Sequence, residues 1–119
     1  MKRSRLKEYK CRKSYPKKDK EGNSYIEYGP PTLFIGEIWP AGGKIQAEMY
    51  GQKVAGMRNG RIVGNYNIKT DPKGNPLYEF EGFTIQENDG VCIDSTDEPD
   101  YRVVAIKPYR ALYLEMERI

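Results

Sequence analysis

The chain has 119 residues, two cysteines, no histidine and a net charge of +3. A chain of this length can bury about two-thirds of its unfolded surface in one domain without disulfide bonds. The absence of histidine excludes Ser-His and Cys-His nucleophile pairs and a histidine general base. Cys11 and Cys92 form no CxxC motif, and we expect two buried thiols in a reducing compartment.

No apolar run approaches the roughly 20 residues of a membrane-spanning helix, and the basic start lacks the apolar core of a signal peptide. We therefore expect one soluble intracellular domain over residues 1–119, with a distinct basic segment at residues 1–20. That segment holds ten Lys or Arg and two acidic residues, a net charge of +8, whereas the remaining residues carry −5. Such asymmetry indicates either a polyanion or acidic protein partner, or a solubilising terminus. The candidate residues of this arm are Lys2, Arg3, Arg5, Lys7, Lys10, Arg12 and Lys13.

The first predicted strand runs from Lys7 to Tyr15. It alternates poorly and is rich in lysine, which is typical of an edge strand. The sequence PKKDKEGN, residues 16–23, predicts a turn, and Ser24 to Tyr28 resumes an extended run.

A β-branched and aromatic run from Leu33 to Trp39 predicts the next strand, which Pro40 ends. Lys44–Tyr50 can form about two turns of helix, and Gly51 follows at the position of a left-handed cap. A helix this short is unstable alone. It must pack either on its own chain or on a neighbouring subunit.

Two interpretations stay open for the apolar residues of this stretch. Ile45, Met49 and Tyr50 either form a patch that docks on a neighbour or close one end of the barrel. Trp39 is either an interface anchor, a common role for tryptophan, or a core residue.

Residues 52–94 alternate turn signals with short strand-like runs. Asn59-Gly60 is the strongest two-residue hairpin signal, and Ile62 to Ile68 is the expected returning strand. Further turns and strands are predicted at Asp71 to Pro76, Leu77 to Gln86, Asp89-Gly90 and Val91 to Asp94.

The last two predicted strands have the clearest patterns. Tyr101 to Ile106 is apolar on both faces, as in a covered sheet. In the final strand Leu112, Leu114 and Met116 alternate with residues that we expect on a solvated face, Tyr113, Glu115 and Glu117. These elements predict a mainly β fold: a small antiparallel barrel or sandwich of about seven to nine short strands, with one short helix and a long Gly-rich loop.

The acidic residues of the loop at 94–100 could suggest calcium binding or carboxylate catalysis. Their spacing lacks the alternating ligands and sixth-position glycine of an EF-hand, and a solvated turn is the expected structure. Nothing else points to a catalytic set, a metal or a cofactor, and we expect a non-enzyme. The residues concerned are Asp94, Asp97, Glu98 and Asp100.

The order of four tracts, IWPAGGKIQAEMYGQ, NDGVCID, YRVVAIKPYR and ALYLEMERI, resembles the head-closure (head–tail joining) proteins of long-tailed bacteriophages and prophages. The similarity covers residues 33–119. The residues at comparable places are Trp39, Glu48, Tyr101, Val103, Ile106, Arg110, Leu112, Leu114 and Glu117.

The resemblance implies a structural role in the virion. Such proteins form a ring below the portal and its adaptor, close the DNA exit channel after packaging and meet the tail terminator protein. The implied location is the head–tail connector, and the host cytoplasm before assembly. A loop from each subunit enters the channel, and in this chain the Gly-rich interval Pro40 to Arg61 is the expected loop. Its DNA-facing residues, which would make non-specific phosphate contacts, are Lys44, Lys53, Arg58 and Arg61.

Two other function classes stay open on the sequence. A small β-barrel could bind nucleic acid through the basic segment, in which Tyr9 and Tyr15 are interleaved for base stacking. A hydrolase that uses Asp or Glu carboxylates has no specific sequence support.

Overall fold

The computed structural model describes residues 5–119, which form eleven β-strands, one α-helix and one 3-10 segment. Helix α1 spans Lys44–Tyr50, and the 3-10 segment Gly51–Gly56 follows it directly. The predicted mainly β fold class is confirmed. In chain order the strands are β1 Lys7–Arg12, β2 Ser14–Lys18, β3 Ser24–Tyr28, β4 Thr32–Pro40, β5 Met57–Ile62, β6 Asn67–Thr70, β7 Pro76–Phe80, β8 Phe83–Ile85, β9 Gly90–Cys92, β10 Tyr101–Pro108 and β11 Leu112–Arg118.

Six strands close an antiparallel barrel in the order β1-β4-β5-β11-β10-β9. Two smaller sheets project from it: the hairpin β2-β3 and the three-stranded sheet β6-β7-β8. The barrel interior is filled by alternate side chains of its strands, as the period of two requires. Its fully buried members include Ile62, Val91, Val103, Leu112 and Met116.

The predicted strand and helix of the central stretch are confirmed. Strand β4 contains the expected run and ends at Pro40, and α1 has the predicted limits. Gly51 ends the helix with a φ of 60° and a ψ of −133°, and its N–H donates to the carbonyl of Ala47. The positive φ favours glycine, but the ψ differs from that of the expected left-handed cap.

The predicted hairpin at Asn59-Gly60 is wrong, because both residues lie inside β5. Gly60 pairs with Ile38 of β4 and Leu114 of β11, and a Cβ there would lie 3.0 Å from Met116 Cε. The role of Gly60 is therefore to leave space for the Met116 side chain in the barrel, and not to form a turn. The returning strand expected at 62–68 is also wrong, since β5 ends at Ile62 and β6 begins only at Asn67.

The first strand is not an edge strand. Strand β1 pairs with both β4 and β9 and so belongs to the closed barrel. The extended run expected from residue 7 to residue 15 divides at Lys13, and β2 continues through Pro16 into the hairpin with β3. Pro16 is tolerated there because a two-stranded sheet leaves one edge of each strand unpaired.

The run predicted at 77–86 is two strands, β7 and β8, separated by a turn at Gly82, whose φ is +88°. Asn88 turns with a positive φ of 76° just before β9. The loop expected at 94–100 is present. Among residues 5–119, no helix is long and apolar enough to cross a membrane.

Candidate interaction site on the outer face of the barrel

The site is built on the outward-facing side chains of β4, β5 and β11. Trp39, Asn59 and Glu115 lie side by side across the three strands. The neighbouring row, two residues away along the strands, consists of Glu37, Arg61 and Tyr113. Because these residues alternate with the buried ones, their side chains leave the barrel wall on the side that α1 covers.

Helix α1 rests on this wall through its polar residues. Gln46 Nε2 donates to Glu115 Oε2 and to Asn59 Oδ1, each at 2.6 Å. Asn59 Nδ2 donates in return to Gln46 Oε1 at 3.0 Å, and the Tyr50 hydroxyl donates to Glu115 Oε1 at 2.8 Å. We call Gln46, Tyr50, Asn59 and Glu115 the polar latch.

Glu115 is the centre of the latch and is only 4% exposed, so its expected place on a solvated face is wrong. Burial raises the pKa of Glu115, but the hydrogen bonds from Gln46 and Tyr50 and the nearby Lys107, 3.5 Å away, outweigh it and hold that pKa below its usual value. Burial and the bond to Glu115 together raise the pKa of Tyr50 to about 12. The carboxylate therefore stays charged, and the phenol stays a donor, at neutral pH.

The neighbouring side of α1, formed by Ile45 and Met49, is apolar and faces solvent. Ile45 is 72% exposed and Met49 is 61% exposed, and no residue of the helix is buried. The interpretation that Ile45 and Met49 close one end of the barrel is therefore wrong. Tyr50 is half-buried through the latch. The helix thus reverses the usual arrangement, in which the apolar stripe faces the core.

Trp39 is half-buried rather than a core residue. Its ring meets that of Tyr113 edge to face at 6.5 Å, and Tyr113 in turn meets Tyr109 at 6.1 Å. These three rings lie along a groove of about 1070 Å³ between the start of α1, the end of β5 and the β10-β11 turn. We call this the aromatic groove, and its basic residues are Lys44, Arg61, Lys107 and Arg110.

The four residues expected to face DNA do not lie on one loop. Lys44 begins α1 and Lys53 lies in the 3-10 segment, and both are exposed. Arg58 and Arg61 instead belong to β5. The Arg58 guanidinium lies 5.8 Å from the centre of the Tyr101 ring, and Arg61 is 4.0 Å from Glu37.

Within the described residues, the basic segment is divided between β1, which belongs to the barrel, and β2, which belongs to the projecting hairpin. Lys2 and Arg3 lie outside those residues. Arg5 is 3.6 Å from Glu37, and Lys7, at the start of β1, is exposed.

The remaining basic side chains of the segment contact acidic residues of the same chain. Lys10 is 3.4 Å from Asp97. Arg12 is 3.9 Å from Glu98 and also donates to the carbonyl of Gly29. These contacts tie β1 to the loop at 94–100, so this stretch is a structural strand rather than a frayed terminus.

Sequence reasoning missed the ion pair of Lys13 and Asp89. Lys13 Nζ donates to Asp89 Oδ2 at 2.8 Å, and the buried carboxylate also accepts from the backbone N–H of Gln86. Burial raises the pKa of Asp89, while Lys13 and the backbone donor oppose that rise. No local signal could have paired residues separated by 76 positions.

The loop at 94–100 is held by one of its own carboxylates. Asp100 accepts from the backbone N–H groups of Ile93 and Asp94, at 2.7 and 2.8 Å, and from that of Ser95. Within the described part of the chain, no group of three or more His, Cys, Asp or Glu side chains is placed to hold a metal ion.

No family model matches this chain, and neither a curated protein nor a solved structure shows significant similarity to it.

Proposed function

We propose that this chain is a structural virion protein that assembles as a ring below a portal and adaptor, closes the DNA exit channel after packaging and joins the head to the tail. The proposal rests on the resemblance of residues 33–119 to head-closure proteins. The observation that carries it furthest is the exposed apolar side of α1, formed by Ile45 and Met49.

Removing these two apolar side chains from water would be favourable if another protein covered them. Fully burying one such side chain is worth roughly 1.5–3 kcal/mol, and the polar latch uses other residues of the same helix, Gln46 and Tyr50. Another protein can therefore bury Ile45 and Met49 without breaking the hydrogen bonds of the latch. In the proposed ring, they contact an adaptor or a neighbouring subunit, together with Trp39 and Tyr50.

In this proposal, Lys44 and Lys53 make the contacts with packaged DNA. Both are exposed on the segment between β4 and β5, and phosphate contacts by lysine suit a channel that holds any sequence. Arg58 and Arg61 are less suited, because each already contacts another side chain in the barrel wall.

A nucleic-acid-binding barrel is the second proposal, and one observation favours it: aromatic and basic side chains meet in the aromatic groove. Against it, Lys10, Arg12 and Lys13 already contact carboxylates of the chain. The two proposals differ in their response to salt, because affinity for free DNA or RNA falls steeply as salt rises.

Electron microscopy of a cognate portal–adaptor connector, with and without this protein, tests the main proposal. We expect an additional ring of density that narrows the channel. The double variant Ile45→Ser with Met49→Ser is expected to leave the barrel folded and the ring absent. Intact connectors with no added density for the wild-type protein would refute head closure.

A further inference from the structure

We propose that the aromatic groove receives the acidic loop at 94–100 of a second copy of this chain, so that neighbouring subunits join head to tail. This inference rests on the proposed ring and names the contact that would build it. It starts from the charge of the two surfaces and from their positions on the barrel.

The groove combines an apolar floor with a cationic rim. Trp39, Tyr113 and Tyr109 supply the floor. The positive charge of the rim is partly satisfied within the chain, since Arg61 lies near Glu37 and Lys107 near Glu115. Lys44 and Arg110 are both exposed at the edge of the groove, where a carboxylate from outside can reach them.

The loop at 94–100 carries the complementary charge. The side chains of Asp97 and Glu98 are 83% and 82% exposed, respectively, although each lies within 4.0 Å of a basic side chain of β1, Lys10 or Arg12. Asp94 of the same loop is also exposed. Asp100 fixes the start of this loop, because its carboxylate accepts hydrogen bonds from the backbone N–H groups of Ile93, Asp94 and Ser95. A preorganised loop loses little conformational entropy when it binds.

The two surfaces cannot meet within one chain. The loop precedes β10 and the groove lies beside the turn that follows it. The eight residues of β10 separate them by about 26 Å, at about 3.3 Å per residue. Two different patches at opposite ends of one subunit produce a head-to-tail contact, which generates a ring if the rotation closes.

Charge reversal on each side separately tests the contact. Variant one reverses the groove with Lys44→Glu and Arg110→Glu. Variant two reverses the loop with Asp94→Lys and Asp97→Lys. Matched controls reverse two exposed charges elsewhere: Lys18→Glu with Lys20→Glu in the β2-β3 hairpin, and Glu21→Lys with Glu81→Lys in the β2-β3 and β7-β8 turns.

Sedimentation velocity at low salt, over protein concentrations up to about 1 mM, measures self-association. We expect the wild type and both controls to associate, and each reversed variant alone to associate roughly tenfold more weakly or worse. An equimolar mixture of the two variants should regain association, because each one supplies the charge that the other now lacks.

Three results would overturn the inference: a wild type that stays monomeric throughout, a mixture that fails to regain association, or a groove that binds a short single-stranded oligonucleotide while the chain does not self-associate. The outcome is separable from that of the connector experiment. A ring on the connector that both reversed variants still form would preserve head closure and refute this contact. Loop-to-groove association without any ring on the connector would preserve this contact and refute head closure.

Discussion

The substitution Tyr50→Phe tests whether the polar latch holds α1 on the barrel. It removes one hydroxyl and keeps the ring. The hydroxyl donates to Glu115 Oε1 at 2.8 Å, and the carboxylate is almost fully buried. A variant with phenylalanine at this position therefore leaves a buried charge with one donor fewer.

A hydrogen bond to a charged group contributes about 1.5–3 kcal/mol to stability. Glu115 keeps Gln46 and Lys107 as partners, so we expect the lower part of this range, about 1.5–2 kcal/mol. One kcal/mol corresponds to roughly 4 °C in a domain of this size. The Tm should therefore fall by roughly 6–8 °C in Tyr50→Phe.

Two assays locate the effect. Thermal unfolding gives the global change, with Tyr25→Phe in the exposed hairpin as the matched control. Native-state hydrogen exchange reports on the helix itself through the amide of Ala47, which donates to the carbonyl of Gly43. The amide of Val103 in the core serves as reference. We expect exchange at Ala47 to be faster in the variant than in the wild type, and this increase to be larger than any increase at Val103.

The pH dependence supplies an independent check. Because the pKa of Glu115 is held below its unfolded value, its contribution is present above about pH 4.3 and is lost as the pH falls through the folded pKa. The difference in stability between wild type and Tyr50→Phe should accordingly shrink below about pH 4. An unchanged Tm together with unchanged exchange at Ala47 would refute the latch.

Three further predictions concern other parts of the chain. Lys13→Met should cost about 3 kcal/mol in urea unfolding, because it leaves Asp89 buried without its cation; a loss below 1 kcal/mol would contradict the assigned pair. Gly36→Ala should destabilise the barrel by about 3 kcal/mol, since a Cβ there would lie less than 3.0 Å from a backbone oxygen of β5, whereas Gly42→Ala meets nothing and should be nearly neutral in the same assay. Ile45→Ser should change the free energy of unfolding by less than about 0.5 kcal/mol while weakening binding to the connector in co-sedimentation, and equal binding would remove Ile45 from the proposed interface.

The elements that the sequence predicted best are those with strong local signals. Strand β4 combines β-branched and aromatic residues with a terminating proline, and α1 lies between Gly43 and Gly51. Each signal acts within a few residues. The fold class followed from the same short-range patterns, and it is confirmed.

The errors arise where a distant contact decides the structure. Alternation along β11 correctly separated the inner residues from Glu115, but it could not show that a helix 65 residues earlier in the chain covers that outer side. Asn59-Gly60 has the composition of a tight turn, yet the barrel uses the missing side chain of Gly60 to make room for Met116. In both places tertiary packing overrides a local preference.

Helix α1 uses some of its residues for the latch and exposes others, Ile45 and Met49, to solvent. This division lets an assembly protein bind a partner without refolding. A helix of seven residues has little intrinsic stability, and here none of its residues is buried in the core. A few hydrogen bonds from the barrel hold it in place instead, and this leaves Ile45 and Met49 outward. A partner that buries these two side chains adds its own free energy to that of the latch, because neither Ile45 nor Met49 takes part in the latch. Docking on α1 and retention of the latch are therefore mutually supportive, and weakening the latch at Gln46, Asn59 or Glu115, which the proposed interface does not include, should still weaken partner binding.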